Sequence, residues 1–330
     1  MQRPARHFKP ATRRYGSRTA LAVITVLIAV TASMSCAHGS CAAAAKSSGS
    51  AIPEPLPTET AATPTVAELA APDAEQQPSL ASRMALATEF AREQGAEVSI
   101  VIFDRVEGVR VTNGNDEPID TASVSKLFIA DDILFREQQG EFTLSEDEEA
   151  LIDDMLRSSD DSAADLLWNR FGGNDIIDRI TERYPLPSTS IGWNETWWET
   201  ETTMSDMVSY YAALLDGSGG LQADQTAVVL SDIGDFTTTG ADGYYQRFGI
   251  PDALTAESDI AVKQGWMCCI DGSWIHLSTG IAGDDHRYII ALGSRETAAN
   301  YGGGDLGAEH ARWTLTETAT ILFPDGRIDL

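Results

Sequence analysis

The chain has 330 residues, 43% of them apolar, and carries 23 basic against 50 acidic side chains for a formal net charge of -27. That is enough apolar material for a sizeable core and enough length for one large or two modest domains. So acidic a balance argues against nucleic acid as a partner, because duplex affinity comes largely from lysines and arginines that neutralise phosphates.

The amino terminus reads as an export signal over residues 1–35. Arg3, Arg6, Lys9, Arg13, Arg14 and Arg18 precede an uncharged apolar run from Ala20 to Ala32. That run is short for a spanning helix, and the basic flank would stay on the cytoplasmic side. The remainder is therefore expected beyond the cytoplasmic membrane, either on its outer face in the cell envelope or secreted. Thr12-Arg13-Arg14 hints at a twin-arginine address, although Tyr15-Gly16-Ser17 continues it poorly. Cys36 stands where bacterial lipoproteins are acylated, but Ser33 occupies the place of the usual leucine. A lipid anchor at Cys36, a cleaved secreted chain and an uncleaved anchor remain open, with Cys41 a less well-placed acceptor. Any membrane contact is expected only through this terminus.

Residues 36–78, rich in Ala, Pro, Thr and Glu, hold few large apolar side chains and read as a disordered tether. Residues 79–330 are expected to fold as one unit and to act as a monomer. Leu80, Met84, Ala87, Phe90 and Ala91 recur at helical spacing before Gly95. Val98 to Asp104 and Val109 to Thr112 read as strands. A mainly helical stretch follows from Ser123 to Asp216. Strand character returns at Ile260 to Ile270, Trp274 to Thr279 and Arg287 to Gly293, before a closing helix from Ala308 to Phe323. Strands at both ends and helices between them predict an α/β layer with an inserted all-α subdomain.

Only four of the 23 basic residues are lysines, and two of these, Lys9 and Lys46, precede the folded part. Lys126 lies in Thr121-Ala122-Ser123-Val124-Ser125-Lys126 at a helix start. Spacing i, i+3 puts its amine and the Ser123 hydroxyl on one helical face. A serine needs a base to become a nucleophile; a buried lysine of lowered pKa can supply one, and an arginine cannot. Ser159-Asp160-Asp161 follows in the context Ser-Asp-Asp-Ser-Ala-Ala-Asp-Leu-Leu. The other folded lysine opens Lys263-Gln264-Gly265-Trp266 on a strand.

With these motifs the chain resembles the class A β-lactamase and penicillin-binding-protein-like serine hydrolases, in the form of an exported lipoprotein of actinobacterial type. That family carries S-x-x-K, S-D-N and K-T/S-G in this order. The resemblance covers about residues 80 to 325. It implies a β-lactamase-like α/β (α+β) fold, with an antiparallel sheet flanked by the N- and C-terminal helices. It implies an acyl-serine hydrolase or transferase acting on β-lactams or on peptidoglycan D-alanyl stem peptides. Ser123 would be the nucleophile, Lys126 its base, and Ser159 the proton relay to the leaving nitrogen. Lys263 would bind the substrate carboxylate, and the backbone N–H groups of Ser123 and Trp266 would form the oxyanion hole. Asp161, Gln264 and Gly265 fall on substrate-binding positions. The family's deacylating glutamate has no clear counterpart, because the loop before Glu201-Thr202-Thr203 is short; Glu195 is the nearest candidate.

Two departures bear on activity. Asp161 replaces an asparagine that donates to the substrate amide, and a carboxylate beside Lys126 favours the ammonium form over the free base. Gln264 replaces a small hydroxyl residue. The alternative reading is a catalytically impaired envelope lipoprotein of the same fold with a binding or structural role. Trp193, Trp197 and Trp198 are either a cleft edge or core aromatics, and His276 either faces the cleft or is packed. Cys268 and Cys269, adjacent on a strand, are expected to point to opposite faces and not to bridge. No C-x-x-C or H-E-x-x-H pattern occurs, so neither a metal nor another cofactor is expected.

Overall fold

The computed structural model describes residues 78–299, 301 and 304–330. The export segment, the tether up to residue 77 and both candidate acylation sites, Cys36 and Cys41, lie outside the described residues. No helix among the described residues is long and apolar enough to cross a membrane.

Helix α1 (Leu80–Glu93) begins at Ser79, whose hydroxyl accepts the Ser82 N–H, and it buries Leu80, Met84, Ala87 and Ala91 along one stripe. Strands β1 (Ala96–Asp104) and β2 (Val109–Thr112) form a hairpin, followed by the short β3 (Ile119–Asp120). A 3-10 turn (Ala122–Ser125) runs into α2 (Lys126–Gln138), and α3 (Glu146–Arg157), α4 (Asp161–Phe171) and α5 (Asp175–Arg183) complete a helical layer. A second 3-10 turn (Trp197–Glu199) precedes β4 (Glu201–Thr202), which pairs with β3. Then come α6 (Met204–Asp216), α7 (Ala223–Gly234) and the one-turn α8 (Ile250–Ala253). The chain returns through β5 (Ile260–Ile270), β6 (Ser273–Ala282) and β7 (Tyr288–Thr297) to α9 (Gly304–Leu322).

The main sheet has the order β2-β1-β7-β6-β5 with every neighbouring pair antiparallel. Alternation along the strands divides the core in two. Val98, Ile100 and Ile102 of β1, with Ile290 and Leu292 of β7, pack against α1 and α9 through Met84, Leu315 and Leu322. Val101, Ile289 and Ala291 point the other way, into the layer built from α2, α4, α5 and α6. This is the expected antiparallel sheet flanked by the terminal helices, with the helical region inserted between β3 and β5. The segment between Asp216 and Ile260, for which sequence pattern offers no element, holds α7 and α8. Strand β6 runs three residues past Thr279, because pairing with β7 carries it to Ala282.

Helix α2 is buried continuously from Lys126 to Leu134, and that stretch includes two carboxylates, Asp131 and Asp132. Asp132 receives both arms of the Arg179 guanidinium at 2.8 Å. Asp131 is met by Arg183, by the Tyr184 hydroxyl, and by the Tyr210 hydroxyl at 3.2 Å. Burial raises the pKa of Asp131, and the Arg183 charge opposes it. These bonds pin α2 to α5 and α6 and so hold the end of α2 that begins the candidate site. Arg183→Ala would leave a buried carboxylate without its cation. It is expected to cost about 3–5 kcal/mol, read as a lowered urea midpoint with an unchanged slope.

Candidate functional site

Ser123 sits in the 3-10 turn that leads into α2, and the residue before it, Ala122, has φ +46. A non-glycine residue in that left-handed region is strained and persists only where the surroundings over-determine it. The surroundings here are tight. Thr121 N–H donates to Thr200 O at 2.8 Å, and the edge strand β5 lies against the turn. A Cβ on Gly265 would stand 2.6 Å from the Thr121 carbonyl oxygen. Glycine at 265 is therefore what lets β5 approach the serine.

One helical turn on, the Lys126 ammonium reaches Ser123 Oγ at 2.9 Å, as the i, i+3 spacing predicts. It also donates to Ser159 O at 2.7 Å, lies 3.3 Å from Ser159 Oγ, and donates to Asp161 Oδ1 at 2.6 Å. Ser159 lies in the junction between α3 and α4 at φ +58, a conformation that turns its carbonyl and hydroxyl together toward the lysine. Asp160, the next residue, caps α4 by accepting the Ala163 N–H. From the strand side Lys263 donates to Ser159 Oγ at 2.8 Å. The polar chain Ser123–Lys126–Ser159–Lys263 is thus continuous, and its members are all buried.

Electrostatics divide the two amines. Burial pulls Lys126 below the usual lysine range, and the adjacent Asp161 carboxylate pulls it back. Burial, followed by the charge of Lys126, drives Lys263 well below that range. Only one member of the ion pair is shielded: Lys126 is wholly buried, while the Asp161 side chain is 66% exposed.

Above Ser123 opens a cleft of about 500 Å³, lined among others by Asp161, Asp165, Trp197, Trp198, Glu199 and Trp266. Trp266 stacks on Tyr244, with ring centroids 5.0 Å apart, and its indole N–H donates to Asp242 at 3.0 Å. As the edge of the sheet, β5 leaves outward backbone N–H groups beside the serine turn, which is where an oxyanion hole built with Trp266 would lie. Gln264 turns inward, donating its amide N–H to Phe248 O, and does not line the cleft. Its expected contact with substrate therefore falls away; the residue fills the space between β5 and Phe248.

Of the two glutamates on this loop, Glu199 lines the cleft and Glu195 does not. Glu195 is solvent-exposed at φ +57 and outside the lining. Glu199 is buried and oriented by the Asn194 amide at 2.7 Å and the Thr196 hydroxyl at 2.9 Å. The short loop before Glu201 points Glu199 inward through the Trp197–Glu199 turn, a feature that the spacing alone did not reveal. Trp197 and Trp198 line the cleft, whereas Trp193 projects away, 94% exposed. His276 faces its cross-strand neighbour Trp266 but is fully buried, with Nε2 at 2.7 Å from the Tyr244 hydroxyl. Burial, with the Arg312 charge, pushes it down to about 3, so it acts as a neutral support beneath the Tyr244–Trp266 stack.

Cys268 and Cys269 depart from expectation, since they are joined by a disulfide and Cys268 lines the cleft. A register shift between Cys268 and Ile270 breaks the strand alternation on which the opposite-face argument depended. Among the described residues no group of three or more His, Cys, Asp or Glu is placed to hold a metal ion.

The chain was compared with known proteins. No protein-family profile matches it. The fold matches a β-lactamase from Chitinophaga pinensis with a TM-score of 0.60 at 14% identity, covering 74% of this chain and all of that one. A mutant of the class A β-lactamase of the last common ancestor of Gram-negative bacteria matches with a TM-score of 0.58 at 17% identity, covering 74% of this chain and 97% of that one. In sequence, the chain is 47% identical over 249 residues to the protein named "Putative lipoprotein LppW" in Mycobacterium tuberculosis and in Mycobacterium bovis, 76% of each chain being covered. Likeness at that level over that share of both chains is descent, and the class A β-lactamase neighbours share the fold: the chain belongs to the LppW family.

Proposed function

We propose that the chain is an exported acyl-serine hydrolase or transferase, held at the outer face of the cytoplasmic membrane by its N-terminal segment, with residues 79–330 as the hydrolase domain. Its substrates would be β-lactams or D-alanyl stem peptides. The observation that carries this reading is the 2.9 Å contact between the Ser123 hydroxyl and a wholly buried lysine at the floor of a cleft. The lipoprotein name of the mycobacterial relatives supports the location.

In the reaction, Ser123 Oγ attacks the carbonyl carbon and its proton passes to neutral Lys126. The tetrahedral oxyanion is held by the backbone N–H groups of Ser123 and Trp266. The C–N bond breaks as a proton passes from Lys126 through the Ser159 hydroxyl to the leaving nitrogen, giving the acyl-serine ester and a free amine. Water aligned by a carboxylate then releases the acid and restores the serine. Glu199, already oriented inside the cleft, is that carboxylate.

Intact mass after exposure to a fluorescent penicillin is expected to show one adduct on the wild type and none on Ser123→Ala. Unlabelled but folded wild type would leave instead a catalytically impaired envelope lipoprotein with a binding or structural role.

The Asp161 carboxylate stabilises the ammonium form of Lys126, so the free base forms only at higher pH. Acylation should rise with pH as Lys126 loses its proton. Asp161→Asn removes the negative neighbour, lowers the lysine pKa, and moves that limb to lower pH. An opposite charge in contact favours the ammonium, and the exposure of the carboxylate screens that effect, so its removal should raise acylation at neutral pH several-fold. An unmoved limb in a pH series of adduct formation would sink this account of Asp161.

Adduct lifetime separates the two glutamates. Glu199→Gln should lengthen it by about two orders of magnitude, the usual scale of general-base catalysis, and Glu195→Gln should leave it unchanged. Equal effects would remove Glu199 from the role.

A further inference from the structure

The cleft over Ser123 has an unusual charge arrangement for a site expected to hold an anionic substrate. Its lining contains three carboxylates, Asp161, Asp165 and Glu199, and no lysine, arginine or histidine. Both folded-region lysines lie beneath the surface, at 0% and 1% exposure. Lys263, the expected partner of a substrate carboxylate, spends its ammonium on Ser159 Oγ and on the Gln264 carbonyl at 3.4 Å. Gln264, the next residue, is turned inward to Phe248. Among the described residues no cation therefore stands at the wall to receive a carboxylate.

The remaining walls are aromatic. Trp197, Trp198 and Trp266 line the cleft together with the acids. An indole face attracts a cation through its quadrupole, and quaternary ammonium ligands are recognised in this way. One of these walls already carries an ammonium, for Lys126 Nζ sits 4.7 Å from the Trp197 ring centroid. The acids are also fixed in place. The Trp197 indole N–H donates to Asp165 at 2.8 Å, and Glu199 is held by Asn194 and Thr196. A cation entering the cleft would meet preorganised oxygens and indole faces, whereas a carboxylate would meet like charge.

We propose that the cleft selects ligands bearing a positive charge: acyl donors, peptide or lactam, whose acyl portion carries an ammonium group near the reacting carbonyl. This deepens the acyl-serine reading and rests on it for the chemistry at Ser123, but the charge preference itself is a property of binding and is measurable without turnover. The ammonium takes the place that a carboxylate anchor holds in a cleft with a cationic wall.

The test uses three non-reacting probes of similar size: phenyltrimethylammonium, phenylacetamide and phenylacetate, each titrated into the wild-type protein by calorimetry. The cation is expected to bind at least about tenfold tighter than the anion, the sum of cation–π and screened carboxylate attraction. That preference should shrink toward parity in the double variant Asp165→Asn with Glu199→Gln, and should fall as salt rises from 0.05 to 0.5 M, roughly the range over which exposed charges become screened. The salt series needs no variant and stands if the double variant does not fold. Phenylacetate binding as tightly as the cation, or a preference that neither salt nor the double variant alters, would overturn the proposal. Penicillin mass labelling on the same sample keeps the two readings apart. An adduct without cation preference refutes the charge selection alone; cation preference without an adduct supports it and refutes serine acylation.

Discussion

A lysine without contact to solvent organises this molecule. Lys126 Nζ has four oxygens within 3.3 Å, from Ser123, from both the carbonyl and the hydroxyl of Ser159, and from Asp161. An amine removed from water must be supplied with partners or lose its charge. The fold meets that demand by bringing together the start of α2 and the α3–α4 junction. The left-handed backbone at Ser159, the Asp160 cap on α4 and the carboxylates that pin α2 to its neighbours all serve this convergence. Beside it, the side-chain-free Gly265 brings in β5, and with it Lys263.

The same demand is met in an asymmetric way. Three of the four oxygens belong to serine, whose groups leave the amine free to lose its proton. The fourth belongs to a largely exposed carboxylate that favours the ammonium. Burial and the Asp161 carboxylate thus pull the charge of Lys126 in opposite directions. Lys263 has no carboxylate in direct contact and lies well below the usual lysine range, first because it is buried and then because of the Lys126 charge. Two lysines flanking one hydroxyl cannot both hold full charge at low cost, which makes Ser159 a natural route for a proton.

Much of the fold was legible because its elements repeat the periods that burial imposes. The alternation of Val98, Ile100 and Ile102 and the helical stripe of Leu80, Met84 and Ala87 are consequences of facing one core. Where the period fails, so did the reading. Helix α8 is a single turn, and α7 starts without a side-chain cap. At Cys268 a register shift replaces alternation, and the two thiols expected on opposite faces share a disulfide. Glu195 was the nearest candidate on a loop whose sequence shows only that it is short. A single turn at Trp197 to Glu199 buries Glu199 and leaves Glu195 in water.

By itself, the order of residues determined that a serine and a lysine share a helical face, because i, i+3 spacing is a local geometry that needs no partner. It also determined that Lys126 and Lys263 are the only lysines between residues 78 and 330. Tertiary structure alone decided which groups surround those amines. Asp161 touches Lys126 across 35 residues and Lys263 touches Ser159 across 104, and such separations carry no local signal. It likewise decided that Gln264 faces inward and that the cleft wall is acidic and aromatic, since the orientation of a strand side chain depends on the layer packed against it. The pairing of serine with lysine was written locally; the charge of the cleft wall was set by packing.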